Sequence, residues 1–224
     1  MSEQKRYYRR SRITESKFCE LVRYFAQDLS ATEVANLTGV TRKSVTTIFL
    51  KLRRRIAEQC ERSSPLFTLG LRQKEEFSCI RCVCGRCRTK ASPRSPVFGV
   101  LADSGKVFTA AIPDCQKPIL RAMVRGRIPA DEMPSNGWHG YDALVDAEYA
   151  KPFIVKRDAA EATTKFSATG IESFWGFAKA RLEKFYGVPN RTFYLHLKET
   201  EWRFNLGQYD PYGELLKLME KHPL

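Results

Sequence analysis

Three hydroxyl residues and one glycine divide residues 14–60 into helices before any packing is considered. Thr14 stands at an N-cap position ahead of Phe18, Leu21, Val22 and Phe25, which recur at helical spacing. Ser30, with Glu33 three residues on, has the pattern of a capping box, in which each side chain bonds the other residue's backbone N–H. Val34, Ala35 and Leu37 are the expected inner face of this short second helix. Gly39, in Thr38-Gly39-Val40, is the C-cap, because glycine enters the left-handed conformation without a steric penalty. Thr41 then caps a third helix, Arg42 to about Gln59, with Val45, Ile48, Phe49, Leu52 and Ile56 on one side.

Helix, short helix, glycine turn and helix is the order of a helix-turn-helix. In that motif the last helix presents its first turns to a major groove. Those turns here carry Arg42, Lys43, Ser44, Thr46 and Thr47, side chains suited to phosphates and base edges. Farther along stand Lys51, Arg53, Arg54 and Arg55, a run expected to face phosphates. Charge points to the same class of partner. The chain has 38 Lys+Arg against 25 Asp+Glu, and the excess lies at the front: net +7 in residues 1–65, +5 in 66–95 and +1 in 96–224. Residues 1–12 are polar and basic and are expected to form a mobile arm. The alternative is a three-helix bundle whose polar faces are simply solvated.

Apolar content of 43% in 224 residues suffices for a packed core and excludes wholesale disorder. No stretch nears the roughly 18 apolar residues of a membrane span. Met1 to Arg12 lacks the apolar run of a secretory signal. The expectation is a cytoplasmic protein, nucleoid-associated if bacterial, with its seven cysteines reduced.

Ser63-Ser64-Pro65 reads as a linker, and the pattern then changes. Pro96 to Leu101 reads as a buried strand, Asp103-Ser104-Gly105 as a hairpin turn and Lys106 to Ile112 as the partner strand. Helices near 116–124 and 141–148, a short strand ending near Asn136 and a strand at 152–155 follow. Gly170 to Phe185 and Phe193 to Phe204 read as helices. Ile171, Phe174, Trp175, Ala178 and Leu182 share one face of the first, and Trp175 and Trp202 are read as packing. The expected class is α/β with a helical C-terminal third. Cys79, Cys82, Cys84 and Cys87 fall within nine residues as two pairs at zinc-like spacing. Only one residue separates the pairs, where zinc ribbons leave a dozen or more. The alternative is a patch, about residues 70–95, rewritten by compensating frame shifts.

Two stretches carry a family resemblance: Gly170-Ile-Glu-Ser-Phe-Trp-Gly-Phe-Ala-Lys-Ala-Arg-Leu-Glu-Lys-Phe-Tyr-Gly-Val188 and Phe193-Tyr-Leu-His-Leu-Lys-Glu-Thr-Glu-Trp-Arg-Phe-Asn205. Both are similar to the C-terminal signature of ISXO-like insertion-sequence transposases. Pro96-Val-Phe-Gly-Val-Leu101, Gly105-Lys-Val-Phe108, Ile112-Pro-Asp-Cys115 and Asn136-Gly-Trp-His-Gly-Tyr-Asp142 match the same family in the same order. The helix-turn-helix fits its layout. The resemblance covers the chain except for about residues 66–95.

The resemblance implies an RNase-H-like DDE catalytic domain, in which three carboxylates hold two Mg²⁺ (or Mn²⁺) ions for phosphodiester cleavage and strand transfer. Family members act on double-stranded DNA at an element's terminal inverted repeats, as homo-oligomers that join two ends. Three segments follow: 1–62, a basic arm and helix-turn-helix; 63–95, a linker and divergent Cys/Arg-rich segment; and 96–224, the RNase-H-like domain with its helical C-terminus. Carried over, Glu172 is the third acid, and Lys179, two helical turns on, is the basic residue that follows it. Asn136 stands where the second aspartate precedes Gly-Trp; its amide oxygen can touch a metal but brings no charge. Glu75 or Glu76 stands at the first acid's place, and no aspartate occurs between Asp28 and Asp103. Ser167-Ala168-Thr169 stands where the family often has His-x-Asn. Asp114, His139 and Asp142 are read as turn, surface or pairing residues near the site. Three functions remain open at this point: an active transposase, a catalytically dead DNA-binding remnant, and an RNase-H-like nuclease acting on other nucleic acids.

Overall fold

The structure, a computed structural model, describes residues 6–8, 13–64, 76–80, 97–102, 104–111, 170–185 and 190–224, and of 76–80, 111, 190 and 191 the backbone alone. Glu75, Asn136, Asp114, His139, Asp142, Cys82, Cys84, Cys87, Ser167-Ala168-Thr169 and the elements expected between 112 and 169 lie outside the described residues. The described elements run α1 (Glu15–Ala26), α2 (Ala31–Thr38), α3 (Arg42–Ser63), β1 (Glu76–Ile80), β2 (Val97–Leu101), β3 (Val107–Ala111), α4 (Ile171–Glu183), α5 (Asn190–Leu206) and α6 (Pro211–Lys221). The mixture of helices with one sheet agrees with the α/β expectation. The chain divides into two compact units: Met1–Glu61 with Leu206–Leu224, and Arg62–Asn205. Among the described residues no helix is long and apolar enough to cross a membrane.

The first unit is built on the expected caps. The Lys17 N–H donates to Thr14 Oγ1 at 3.3 Å, and the Ser44 N–H donates to Thr41 Oγ1 at 3.3 Å. Ser30 and Glu33 exchange both bonds of the capping box. Gly39 has φ 69° and its N–H donates to the Ala35 carbonyl at 3.0 Å. Open space lies where a Cβ would stand, so glycine is needed for the backbone angle and not for room. Phe18, Leu21, Val22, Phe25, Val34, Val45, Ile48, Phe49, Leu52 and Ile56 are all buried. Each such side chain contributes roughly 1.5–3 kcal/mol relative to exposure. Leu37 departs from the expected inner face of α2, being 58% exposed. The buried residues of α2 are Val34 and Thr38, one turn apart, and Leu37 lies about 100° around the helix from Thr38, off that stripe.

Two further segments join this unit. Helix α6 packs against α1 and buries Leu215, Leu218 and Met219. It starts at Pro211, where Asp210 caps the N–H groups of Tyr212 and Gly213 at 3.0 and 2.8 Å. The sequence places residues 206–224 with the α/β segment, because amphipathic spacing shows a helix's inner face but not what covers it. Residues 6–8, expected within a mobile arm, are seated: the rings of Tyr7 and Tyr8 lie 6.5 and 5.4 Å from that of Phe18.

The second unit holds a three-stranded antiparallel sheet in the order β1-β2-β3. Strands β2 and β3 lie within the predicted spans and pair from Val97↔Ala111 to Leu101↔Val107. Strand β1 lies at the border of the Cys/Arg-rich segment, which has little periodicity, and pairs from Glu76↔Leu101 to Ile80↔Val97. Five residues are too short a run for alternation to identify. Helix α4 packs on β1 and β2 and buries Ile171, Phe174, Trp175, Ala178 and Leu182, the face read from the sequence. A Cβ at Gly99 would stand 2.6 Å from Trp175 Cζ2, so only glycine admits the indole over β2. Phe98 and Val100, which alternate with Val97 and Gly99, are buried too, so both faces of β2 are covered.

Helix α5 lies along β3, an end strand of the described sheet. Asn205 accepts from the Val107 N–H and donates to the Val107 carbonyl, each at 2.7 Å. Glu201 accepts from the Thr109 N–H at 2.9 Å and hydroxyl at 2.6 Å, while Lys198 donates to the Thr109 carbonyl at 2.6 Å. Residues 198, 201 and 205 form one helical stripe. Three side chains thus satisfy four backbone groups that an open strand edge would leave to water or to another chain.

Candidate functional site

Helix α3 offers the first candidate surface. Arg42, Lys43, Thr46, Thr47 and Arg54 are exposed, and Ser44 is half-buried. Lys43, Thr47 and Lys51 follow one another at four-residue spacing, a single ridge opposite the buried stripe of Val45, Leu52 and Ile56. Ser44 and Thr41 share a hydroxyl hydrogen bond at 2.9 Å, and Thr47 Oγ1 donates to the Lys43 carbonyl at 2.9 Å. Lys51 Nζ donates to the Tyr8 hydroxyl at 3.3 Å and stands 4.6 Å from the ring centroid. Arg55 pairs with Glu58 at 2.9 Å and donates to the Pro223 carbonyl at 3.0 Å.

Arg53 is a correction to the phosphate-facing run. It is 7% exposed, with its guanidinium 5.3 Å from the Phe25 ring and 5.9 Å from the Phe49 ring. Position 53 follows Phe49 by one turn, at the border of the core, so its aliphatic stem and flat head pack on the aromatic pair. The ridge of α3 is therefore basic without Arg53.

Helix α4 offers the second. Glu172 is exposed in the first turn, and Lys179 is half-buried two turns later. Seven residues turn a helix by about 700°, which leaves the two within roughly 20° of one another, about 10 Å apart along the axis. Between them on that side is Gly176, exposed, with open space above it. Of the expected metal donors only Glu172 has a described side chain; Glu76 opens β1 opposite Leu101. Among the described residues no three His, Cys, Asp or Glu side chains form a group able to hold a metal ion. The described part of the site therefore supplies one carboxylate and one ammonium of the expected set.

Sequence reasoning missed the buried charges of α5. Lys198, Glu199 and Glu201 are sealed from solvent together with Arg181 of α4. Glu199 meets Arg181 at 2.6 Å and Arg203 at 2.9 Å; Glu201 meets Lys198 at 2.8 Å. The available signal was the close mixture of signs in Lys198-Glu199-Thr200-Glu201, between Leu197 and Trp202, which are both buried. Tyr8 was missed as well, since nothing in a basic arm marks one tyrosine as seated.

No family model and no solved structure matches the chain. An uncharacterized transposase-like protein of Haemophilus influenzae is 32% identical over 120 residues, which are 53% of this chain and 97% of that protein. Because nearly the whole of that protein aligns at this identity, the chain belongs to the transposase-like proteins.

Proposed function

We propose that this chain is an ISXO-like insertion-sequence transposase of the DDE type. Its first unit grips double-stranded DNA at an element's terminal inverted repeats through a helix-turn-helix formed by α2, the Gly39 turn and α3. Its second unit is the RNase-H-like catalytic part, and homo-oligomers bring two ends together. The observation that carries the DNA-binding half is the exposed start of α3, Arg42, Lys43, Thr46 and Thr47, on a scaffold whose caps and glycine turn hold it out from a closed core. The catalytic half is supported by Glu172 and Lys179 sharing one open flank of α4.

Divalent ions, if bound here, would supply the Lewis-acid chemistry that phosphodiester cleavage and strand transfer need. Glu172 would be one ligand, with Asn136 and Glu75 or Glu76 as the other donors. The Lys179 ammonium would meet a substrate phosphate beside them. A second reading is favoured by a specific observation: Asn136 supplies an uncharged amide where a carboxylate is expected, and no aspartate precedes Asp103 in the Cys-rich region. In that reading the chain is a DNA-binding remnant without catalysis.

Mn²⁺-dependent cleavage of a duplex carrying the flanking inverted repeat separates the two, with Glu172→Ala as control. Cleavage that disappears in the control supports the transposase. Salt-sensitive binding without cleavage supports the remnant.

A further inference from the structure

We infer that Tyr8 and Lys51 together form a subsite for a backbone phosphate of duplex DNA, and that the C-terminal segment holds it in place. The inference rests on the DNA-binding reading of α3 and adds to that surface a residue outside the helix. Lys51 continues the Lys43–Thr47 ridge. It lies eight residues beyond Lys43, about 12 Å along the axis, and a major groove is about 12 Å wide. If the first turns of α3 reach base edges, Lys51 stands level with the sugar-phosphate backbone that borders the groove.

A surface lysine is ordinarily a mobile point charge that loses rotamer freedom on binding. Lys51 is not placed that way. Its ammonium is 3.3 Å from the Tyr8 hydroxyl and 4.6 Å from the ring centroid, so the phenol both bonds and positions the charge. An ammonium has three donors, of which Tyr8 takes one, and the phenol O–H is itself a donor. A phosphate oxygen accepts from both groups, which makes the pair a better clamp than either alone.

Tyr8 is held in turn. Its ring packs 5.4 Å from that of Phe18. The neighbouring backbone is tied to the end of the chain: the Leu224 N–H donates to the Tyr7 carbonyl at 2.9 Å, and the Arg6 guanidinium pairs with Glu220. The Arg6 N–H also donates to Glu15 of α1 at 3.1 Å. The segment that carries Tyr8 is therefore fixed between α1 and α6, and α6 acts on the subsite through that segment.

The test is salt-dependent binding of a fluorescein-labelled mixed-sequence duplex by the full chain, read by anisotropy. A phosphate contact acts on any sequence, so no element end is needed. Lys51→Gln is expected to weaken binding roughly tenfold at low salt and to reduce the slope of log affinity against log salt by about 0.9. Tyr8→Phe keeps the ring on Phe18 and beneath the ammonium but removes the hydroxyl; binding is expected to fall roughly threefold to tenfold with an unchanged slope and unchanged Tm. Glu220→Gln, which loosens Arg6, is expected to weaken binding by about twofold with the slope retained. Wild-type affinity and slope in both Lys51→Gln and Tyr8→Phe, beside a Lys43→Gln variant that does weaken binding, would overturn the subsite and leave the role of α3 standing. A wild-type chain without salt-dependent binding would overturn both.

Discussion

In α3 the cations Arg42, Lys43 and Arg54 face solvent, whereas in α5 Lys198, Glu199 and Glu201 are sealed inside the second unit. The two helices differ in the mixture of signs. Helix α3 carries seven Lys or Arg and two Glu, and its first turn is basic with no acid. Like charges cannot be buried together, because each would lose its hydration without a counter-charge. Helix α5 mixes the two signs, and its ions meet partners at 2.6–2.9 Å. Arg53 marks the limit of the rule: it is buried in α3 because two aromatic faces receive it. The lesson is that charge on a helix reads as surface only where one sign dominates and no acceptor, acidic or aromatic, lies within reach.

The comparison breaks most sharply at Glu199. Glu199→Gln leaves Arg181 and Arg203 facing a neutral amide in a buried site, and is expected to destabilise the second unit by about 3–5 kcal/mol. Urea unfolding followed by tryptophan fluorescence checks it, since Trp175 and Trp202 are buried in that unit. A loss below about 1 kcal/mol would put this pair in the surface class and end the contrast.

A smaller effect is expected at Gly99. Its alanine Cβ would stand 2.6 Å from Trp175 Cζ2 and 3.0 Å from Cη2, so the indole or α4 must shift. Overpacking of this kind costs about 1–3 kcal/mol. Unchanged unfolding and an unchanged emission maximum would mean that α4 is not seated on β2 as described.

Smaller again is Gly39→Ala. The position has room for a methyl group but a φ of 69°, so the change places a side chain in the left-handed region at a cost of about 1–2 kcal/mol. Thermal unfolding by circular dichroism, read at 222 nm, is expected to show a lower Tm. A higher Tm would mean that α2 does not end in that conformation.

Much of the first unit was legible because its determinants are local. Thr14, Ser30, Gly39 and Thr41 act within four residues of themselves, and the apolar stripes of α1 and α3 need only a partner of their own kind. In the second unit the face of α4 and the β2–β3 hairpin were legible for the same reason. What escaped depends on remote chain. Leu37 faces solvent because it lies off the Val34–Thr38 stripe that the rest of the unit covers; α6 returns to α1 across most of the sequence; Asn205 bonds Val107 from 98 residues away. Of the candidate site, Glu172 and Lys179 were legible as a same-side pair, and the start of α3 as an exposed basic ridge. Tyr8 was not, because its place is set by Phe18, Lys51 and the tie between Tyr7 and Leu224.

In the proposed function the ridge of α3, and not the overall +13 of the chain, binds DNA. Two double variants with equal loss of charge test it directly: Lys43→Gln with Arg54→Gln on the ridge, and Lys17→Gln with Lys217→Gln on α1 and α6. Duplex binding at about 0.15 M salt is the measurement, where the Debye length is about 8 Å and distant charges are screened. The ridge variant is expected to lose at least roughly tenfold in affinity and about two units of salt slope, while the other stays near wild type. Equal losses in the two variants would contradict the claim, because net charge alone would then account for binding.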